Sequence, residues 1–333
     1  MNINSPIRIG LIGLGSWARR AYVPILQEQS NVNVLAVAAR STATLGLARD
    51  IFGPTTELYS DYASLLARAD IDAVMIGLPP SLTAQATIAA LEADKHLWVE
   101  PPIEGADDTN GVLELAGKSE RVFHVDLELR YLPVVSAIRG IVSSGNLGQL
   151  LFVRVELAIN WARVKAEPEQ KRDVLGLGTW YIDLLDAFVG REPQRVDVFA
   201  SYPRYPSLME LGMFTLQYPD AVIGEWSVNL RGGEKWELRV RLVGTEGEAE
   251  ANLMDGTYRY RTAEGFSQSG TADCSRPEYG FVGMRESVLA FLAAIRSEGD
   301  TWSGPKPYTR LCRSLGALRQ AEQQKRSITP DAV

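Results

Sequence analysis

The feature that most constrains this chain is a glycine turn set between an apolar run and a helix start. Ile7 to Ile12 reads as a short buried strand, and it ends at Gly13-Leu14-Gly15-Ser16-Trp17-Ala18. The order of strand, glycines and helix gives the turn its meaning. Gly13 permits the tight turn, Gly15 lets the backbone approach a pyrophosphate, and the small Ala18 lets the helix lie close on the strand. A phosphate bound there would meet free N–H groups at the helix start. The plainer alternative is a glycine-rich turn that only packs.

Beyond the turn the same alternation of strand and helix continues. Apolar runs at Val32–Ala38, Ile71–Gly77, His96–Val99 and Val122–Arg130 read as strands. Between them, Trp17–Gln29, Thr42–Phe52, Asp61–Ala69, Leu82–Ala93 and Ala106–Lys118 read as helices. Strands spaced by helices of this length imply βαβ units and a doubly wound parallel sheet. After Pro133 the pattern changes. A helix at Val134–Ser143 leads into long strands at Gln149–Trp161, Gln194–Tyr202, Leu211–Tyr218, Val222–Leu230 and Trp236–Val243. Turn signals stand at Tyr218-Pro219-Asp220 and Arg231-Gly232-Gly233. Helices are expected at Val174–Phe188, Phe281–Arg296 and Tyr308–Lys325. This predicts an α/β domain over 1–128 and an α+β domain over 129–333. The second carries a mostly antiparallel open sheet with helices on one face.

A chain of 333 residues is long enough for two such cores. Its net charge of −7 argues against nucleic acid and anionic membrane as partners, since both require a basic face. No apolar run approaches the roughly 20 residues of a membrane helix, and Met1 to Pro6 lack the features of a signal peptide. Cys274 and Cys312 are the two cysteines, far apart, which suits a reducing cytoplasmic compartment. With His96 and His124 as the two histidines, a zinc site has too few soft ligands.

The end of the second strand reports on the nucleotide. An NAD site places a carboxylate there to bond the ribose 2′-hydroxyl. This chain instead reads Ala38-Ala39-Arg40-Ser41-Thr42, with no carboxylate before Asp50. Arg40 with the hydroxyls of Ser41 and Thr42 suits a 2′-phosphate, which favours NADP while leaving NAD possible. An Arg40 that is simply a solvated loop charge is the competing reading.

The glycine turn, Ile71-Asp-Ala-Val-Met-Ile-Gly-Leu-Pro79-Pro80, Ala90 through Lys95-His96 to Glu100, Arg130-Tyr131-Leu-Pro133 and Leu242-Val-Gly244-Thr-Glu-Gly247 come in an order and spacing that cover nearly the whole chain. Together they resemble the Gfo/Idh/MocA oxidoreductase family, named after glucose–fructose oxidoreductase and inositol dehydrogenase. The resemblance implies an N-terminal Rossmann domain, a C-terminal sheet domain and an active site between them. It also implies an open sheet that joins subunits into a homodimer or homotetramer. Cofactor contacts are then expected from Gly13, Gly15, Ser16, Trp17, Arg40, Ser41, Leu78, Pro79, Pro80 and Glu100.

The chain departs from that family where the chemistry should be. The usual Glu-Lys-Pro is Glu100-Pro101-Pro102, and proline has no proton to donate. The usual Asp-x-Gly-x-x-His-x-x-Asp becomes Gly176-Leu-Gly178-Thr-Trp180-Tyr181-Ile-Asp183, so Asp falls on Gly176 and His on Trp180, or on Tyr181 if the register slips. Thr83 stands where the family often has another histidine.

Period two in a strand would place His124, Asp126, Glu128 and Arg130 on one face. Neighbouring carboxyls raise one another's pKa, so one of them can stay protonated and donate. An Arg130-centred ion-pair network explains the same charges without chemistry. Tyr181 and Asp183 lie on one helix near the expected site, Asp183 as a binder of a substrate hydroxyl or as a helix brace. Asp126, Glu128, Tyr181 and Asp183 are therefore the catalytic candidates. Lys165 and Lys171 in a charged loop, and Trp161 with Trp180 as a stacking wall, are weaker ones; His96 matches a structural position. These residues support two functional readings. One is hydride transfer between NADP(H) and a sugar, polyol or related small molecule with a substituted acid–base set. The other is an inactive relative that binds nucleotide or ligand as a sensor or partner subunit.

Overall fold

The computed structural model describes residues 5–104, 109–160, 174–202, 209–232, 236–273, 282–297, 299 and 301–324. They form two compact units. The first is Met1–Leu127 with Arg276–Thr309, and the second is Glu128–Ser275 with Arg310–Val333. The expected division at residue 128 thus differs in one respect: the late segment Arg276–Thr309 rejoins the first unit. Among the described residues no helix is long and apolar enough to cross a membrane.

In the first unit, strands β1 (Ile7–Ile12), β2 (Val32–Ala38), β3 (Glu57–Tyr59), β4 (Ala73–Ile76), β5 (His96–Val99) and β6 (Phe123–Val125) form one sheet in the order β3-β2-β1-β4-β5-β6. Every pairing is parallel. The inner strands are apolar along their whole length, as a parallel sheet covered on both faces requires; β4 is buried at all four positions. The expected helix Trp17–Gln29 is two shorter ones, α1 (Ser16–Ala21) and α2 (Val23–Gln27), broken where Pro24 enters at the second turn. Helix α3 (Thr42–Phe52) is capped by Ser41, whose side chain accepts from the Thr44 N–H at 3.0 Å. The helix expected at Asp61–Ala69 is α4 (Tyr62–Leu66), capped by the Asp61 carboxylate. Helices α5 (Pro80–Glu92) and α6 (Thr109–Lys118) complete the crossovers.

The strand expected at Val122–Arg130 is only three residues long. The Leu127 N–H bonds the Val125 carbonyl at 2.8 Å, which turns the chain out of the extended form, and Glu128–Tyr131 form a 3-10 turn directly after it. The common face expected for His124, Asp126, Glu128 and Arg130 therefore does not exist. His124 and Asp126 belong to the first unit, Glu128 and Arg130 to the second.

The second unit has α7 (Pro133–Ser143), α8 (Val174–Val189) and an eight-stranded sheet. Its strands are β7 (Leu150–Ala158), β8 (Arg195–Ser201), β9 (Leu211–Gln217), β10 (Ile223–Asn229), β11 (Glu237–Gly244), β12 (Gly247–Asn252), β13 (Thr257–Thr262) and β14 (Ser267–Thr271). The order is β14-β13-β12-β11-β7-β10-β9-β8, antiparallel except for β7 with β10. In β9 and β11 buried and open positions alternate, the pattern of a sheet covered on one face. Helix α8 lies on the covered face, where a Cβ on Gly178 would come within 2.9 Å of the Trp226 ring. Helices α9 (Met284–Ser297) and α10 (Pro305–Gln324) close the described chain, α9 packing into the first core through Val288, Phe291 and Ile295.

Candidate functional site

The glycine turn lies at the carboxyl end of β1. Gly13 has φ +90, and a Cβ there would sit 2.3 Å from the Gly77 carbonyl oxygen, so only glycine fits. Its N–H bonds the Ala38 carbonyl at 2.9 Å and holds the turn against β2. Gly15 is exposed and starts α1 without any side-chain cap. A Cβ on Gly15 would have nothing within 4 Å, so the backbone there faces open space that a ligand can fill. Ser16 is exposed beside it and Trp17 is half-buried.

A cavity of about 210 Å³ opens next to the turn, walled by Ile12, Ala38, Tyr62, Leu78 and Leu82, with Arg40, Ser60 and Asp61 among its polar lining. Pro79 and Pro80 are exposed where the chain leaves β4 for α5. Arg40 is exposed and makes no ion pair among the described residues. A bare backbone turn beside an apolar cavity with a cation at its rim fits the pyrophosphate and ribose portions of a nicotinamide dinucleotide. Ser41 faces two ways: it caps α3, and its hydroxyl bonds Thr44 Oγ1 at 2.8 Å. Thr83, in the family's histidine position, is buried with its hydroxyl on the Pro79 carbonyl at 3.3 Å.

On the same sheet end, β5 and β6 release Glu100 and Asp126 side by side. Val99 pairs with Val125, and the Asp126 N–H bonds the Val99 carbonyl at 2.9 Å, so the two carboxyls leave neighbouring strands together. They lie within hydrogen-bonding reach of each other, and the Trp17 indole faces Glu100. Asp126 is fully buried, and Glu100 is partly exposed but with Oε2 sealed from solvent. Burial first, then the Asp126 charge, pushes the Glu100 carboxyl well above the usual range. Burial pushes Asp126 up to about 7, against hydrogen bonds from Ser287 and Glu100 that hold it down. Ser287, on α9, donates to Asp126 Oδ1 at 2.6 Å, and His124 Nε2 lies 2.9 Å from the same hydroxyl. Tyr22, fully buried against Trp98 with ring centroids 4.7 Å apart, closes the cluster.

The second unit holds a different arrangement. Arg130 and Asp183 are both about 1% exposed and form a bidentate pair, Nε to Oδ2 at 2.7 Å and the second guanidinium nitrogen to Oδ1. Burial pushes Asp183 up, and Arg130 partly opposes it. One turn on, burial and then the Asp183 charge lift Asp186 to about 7, with the Tyr218 hydroxyl donating to it at 3.1 Å. Tyr181 is stacked on Trp226 at 5.4 Å and 17°, so it belongs to an aromatic core that continues to Phe214. Burial first and then the Glu128 charge raise its phenol pKa. Glu128 is itself buried. Gly176 and Trp180 are half-buried on α8. His96 accepts from the Val122 N–H through Nδ1 at 3.0 Å, a structural bond. Trp161, Lys165, Lys171, Gly233 and Cys274 lie outside the described residues.

Of the four catalytic candidates, the structure brings Glu128 near Tyr181 and locks Asp183 to Arg130, all within the second unit. Asp126 stands in the first unit beside Glu100, which the sequence marks as a cofactor contact and not as an acid. Ser287 and Asp186 carry no sequence signal. Ser287 meets Asp126 across 161 residues of chain, and Asp186 looks like any polar position on an apolar helix.

Residues 7–127, within the first unit, match the oxidoreductase family model with an NAD-binding Rossmann fold, and residues 135–250 match the C-terminal domain of the same family. The chain belongs to the Gfo/Idh/MocA oxidoreductase family. A dTDP-3,4-didehydro-2,6-dideoxy-alpha-D-glucose 3-reductase from Saccharopolyspora spinosa is 33% identical over 149 residues, 44% of each chain. The chain thus spans less than half the length of the curated relatives it matches first. Solved structures share the fold nearly end to end. An Agrobacterium radiobacter oxidoreductase in complex with NAD+, L-tartaric acid and magnesium superposes with TM-score 0.85 at 17% identity, covering 98% of this chain and 99% of that one. A levoglucosan dehydrogenase in complex with NADH and levoglucosan gives 0.82 at 18%, with 98% and 99% covered.

Proposed function

We propose that the protein is a nicotinamide-dependent oxidoreductase that prefers NADP(H) and interconverts the carbonyl and alcohol forms of a sugar, polyol or related compound. The carrying observation is the cavity beside the glycine turn, with uncommitted Arg40 at its rim and no carboxylate at the position that would bond a 2′-hydroxyl. The sugar reductase that resembles 44% of the chain supports the substrate class. Bound nicotinamide supplies the hydride; the protein binds, orients and handles the proton. Gly13 and Gly15 bring backbone to the pyrophosphate, Arg40 and Ser41 hold the 2′-phosphate, and Leu78, Pro79 and Pro80 line the path of the nucleotide. Two cysteines far apart in the chain support a reducing, cytoplasmic setting.

Arg40→Ala tests the preference. Loss of a charge-assisted bond of about 1.5–3 kcal/mol weakens NADPH roughly ten- to a hundredfold. NADH is expected to change by less than threefold in the same calorimetric titration. Equal loss for both would remove the preference for the phosphorylated cofactor.

A second reading, a nucleotide-binding relative without turnover, is favoured by Pro101, Gly176 and Trp180 standing where proton-handling groups are usual. It expects cofactor binding with no oxidation of NADPH across a panel of aldoses, ketoses and inososes. The partner proposed for the open sheet face is a second copy of the chain. Phe199, Leu211, Met213 and Ile223 lie exposed there on β8, β9 and β10. Light scattering of Phe199→Asp tests this, with a shift toward monomer expected.

A further inference from the structure

We propose that Glu100 and Asp126 share a single proton through neutral pH, and that Glu100 is the acid that delivers it to the substrate's carbonyl oxygen. The sequence marks Asp126 as an acid–base candidate but not Glu100, beside which the lysine position is Pro101.

The proton can be placed by counting donors. Ser287 has one hydroxyl hydrogen, and at 2.6 Å it is directed to Asp126 Oδ1. With Asp126 ionised and accepting from Ser287, the contact between His124 Nε2 and the Ser287 oxygen at 2.9 Å is donated by histidine, whose hydrogen then stands on Nε2. In that arrangement the bonds run from His124 to Ser287 to Asp126, with both hydrogens directed toward Asp126. Asp126 is thus the acceptor of the network, which is the role of a carboxylate. A second carboxyl within hydrogen-bonding reach of that carboxylate can join it only by donating, so the shared proton rests on Glu100. Two ionised carboxyls side by side in a buried site repel each other strongly, so at rest the pair keeps a proton. The groups facing the pair from its surroundings are Tyr22 from the α1–α2 junction, Trp17 from the glycine turn, His124 on β6 and Ser287 on α9. Tyr22 stays protonated, since burial and the two carboxyls raise its phenol.

The pair also stands in a useful place. Glu100 leaves β5 at the carboxyl end of the sheet, next to Trp17 of the turn that approaches the dinucleotide, and Glu100 keeps part of its surface open while Asp126 has none. We therefore assign Asp126, which is wholly buried, as a positioning residue and Glu100 as the member of the pair that meets substrate. In the reducing direction the carbonyl carbon gains a hydride from the reduced nicotinamide, which is oxidised. The C=O π pair moves to oxygen, and that oxygen takes the Glu100 proton as the Glu100 O–H bond breaks. The pair, briefly a dianion, regains its proton from water. The use of the proton rests on the proposed oxidoreductase activity; the shared proton itself does not.

Infrared difference spectroscopy on the full chain without cofactor tests the pair. At slightly alkaline pH the wild type is expected to show a protonated-carboxyl band that Glu100→Gln removes. Asp126→Asn, which deletes the like charge but keeps the shape, is expected to move the band's midpoint down by at least one pH unit, and Asp126→Glu to restore it. Asp186→Asn removes the overlapping band of that separate buried acid. A band untouched by Glu100→Gln, or a midpoint unmoved by Asp126→Asn, overturns the pair; the second variant decides if the first does not fold.

NADPH oxidation with the panel of aldoses, ketoses and inososes then tests the use of the proton. Turnover in Glu100→Gln is expected to fall by about 10²–10⁴-fold, and the alkaline limb in Asp126→Asn to move with its infrared midpoint. Wild-type turnover in Glu100→Gln overturns the donor role alone. An intact pair with no reduction of any carbonyl overturns the donor role together with the oxidoreductase reading.

Discussion

In the first unit a buried aspartate, Asp126, has another carboxyl for a neighbour; in the second unit a buried aspartate, Asp183, has an arginine. Both are sealed from solvent, so both feel the same pressure against carrying charge. Asp183 meets that pressure with a bidentate cation, Arg130, and becomes a fixed ion pair. Asp126 meets it with hydrogen bonds and a proton shared with Glu100. An ion pair of the first kind holds structure and has no proton to give, whereas a carboxyl pair holds a mobile proton close to neutrality. The contrast divides two residues that the sequence pattern places on one face: Arg130 goes with Asp183 as structure, and Asp126 goes with Glu100 as chemistry.

The largest effect is expected where the contrast is broken on the ion-pair side. Asp183→Ala takes the bidentate partner from a fully buried Arg130, which costs about 3–5 kcal/mol. Urea denaturation should show that loss, and Arg130→Met added to it should recover much of the stability, because the buried charge that lost its bidentate partner is then gone. A loss below about 1 kcal/mol would mean that water reaches Arg130 and that the pair is no buried brace.

The carboxyl side is sharpened by pH. Glu100 and Asp126 both have raised pKa values in the folded chain, Asp126 to about 7, against ordinary unfolded values of about 4. Between those limits the folded state binds more protons than the unfolded one. The Asp126 contribution to stability is then complete below about pH 4 and is lost as pH rises through about 7, with a slope of up to about 1.4 kcal/mol per pH unit for each proton, while that of Glu100 persists until the pair gives up its last proton. Asp186, lifted to about 7 as well, adds a slope of the same sign from the second unit. Asp126→Asn is expected to flatten the first part and leave the second, and Asp186→Asn the reverse, as read from denaturation midpoints across that window.

Much of the framework is legible in the chain because it depends on local rules. The glycine turn, the Ser41 and Asp61 caps, β5 at His96–Val99 and the span of α8 come from periodicity, capping and turn chemistry. Strands β12 to β14 are not legible. They alternate charged or polar residues with alanine, tyrosine or glycine, and their order comes from cross-strand partners that one segment does not announce. The site misleads for a related reason. Period two carried through Val125 predicts a shared face, but a backbone bond from Leu127 to Val125 ends the strand there, and no residue preference around Asp126 signals it. Ser287 is beyond reach of sequence, since its meeting with Asp126 is made by the tertiary fold alone.

The smallest expected effect lies on the open face of the second sheet, where charges are paired in water. Glu248 on β12 receives Arg241 at 2.7 Å and Arg261 at 2.5 Å, and Glu250 receives Arg259 at 2.6 Å. The arginines are half or more exposed, so each pair gains little over hydration and is screened by salt. Glu248→Gln should therefore lower stability by no more than about 1 kcal/mol, several times less than Asp183→Ala, though it loosens two arginines where Asp183→Ala takes the bidentate partner from one. That inequality isolates burial as the deciding variable, because both sites pair a carboxylate with arginine at hydrogen-bonding distance. A larger loss that appears only at high protein concentration would show that this face is covered by a second copy, which would convert the exposed ladder into a buried one and give it the energetics of the Arg130–Asp183 pair.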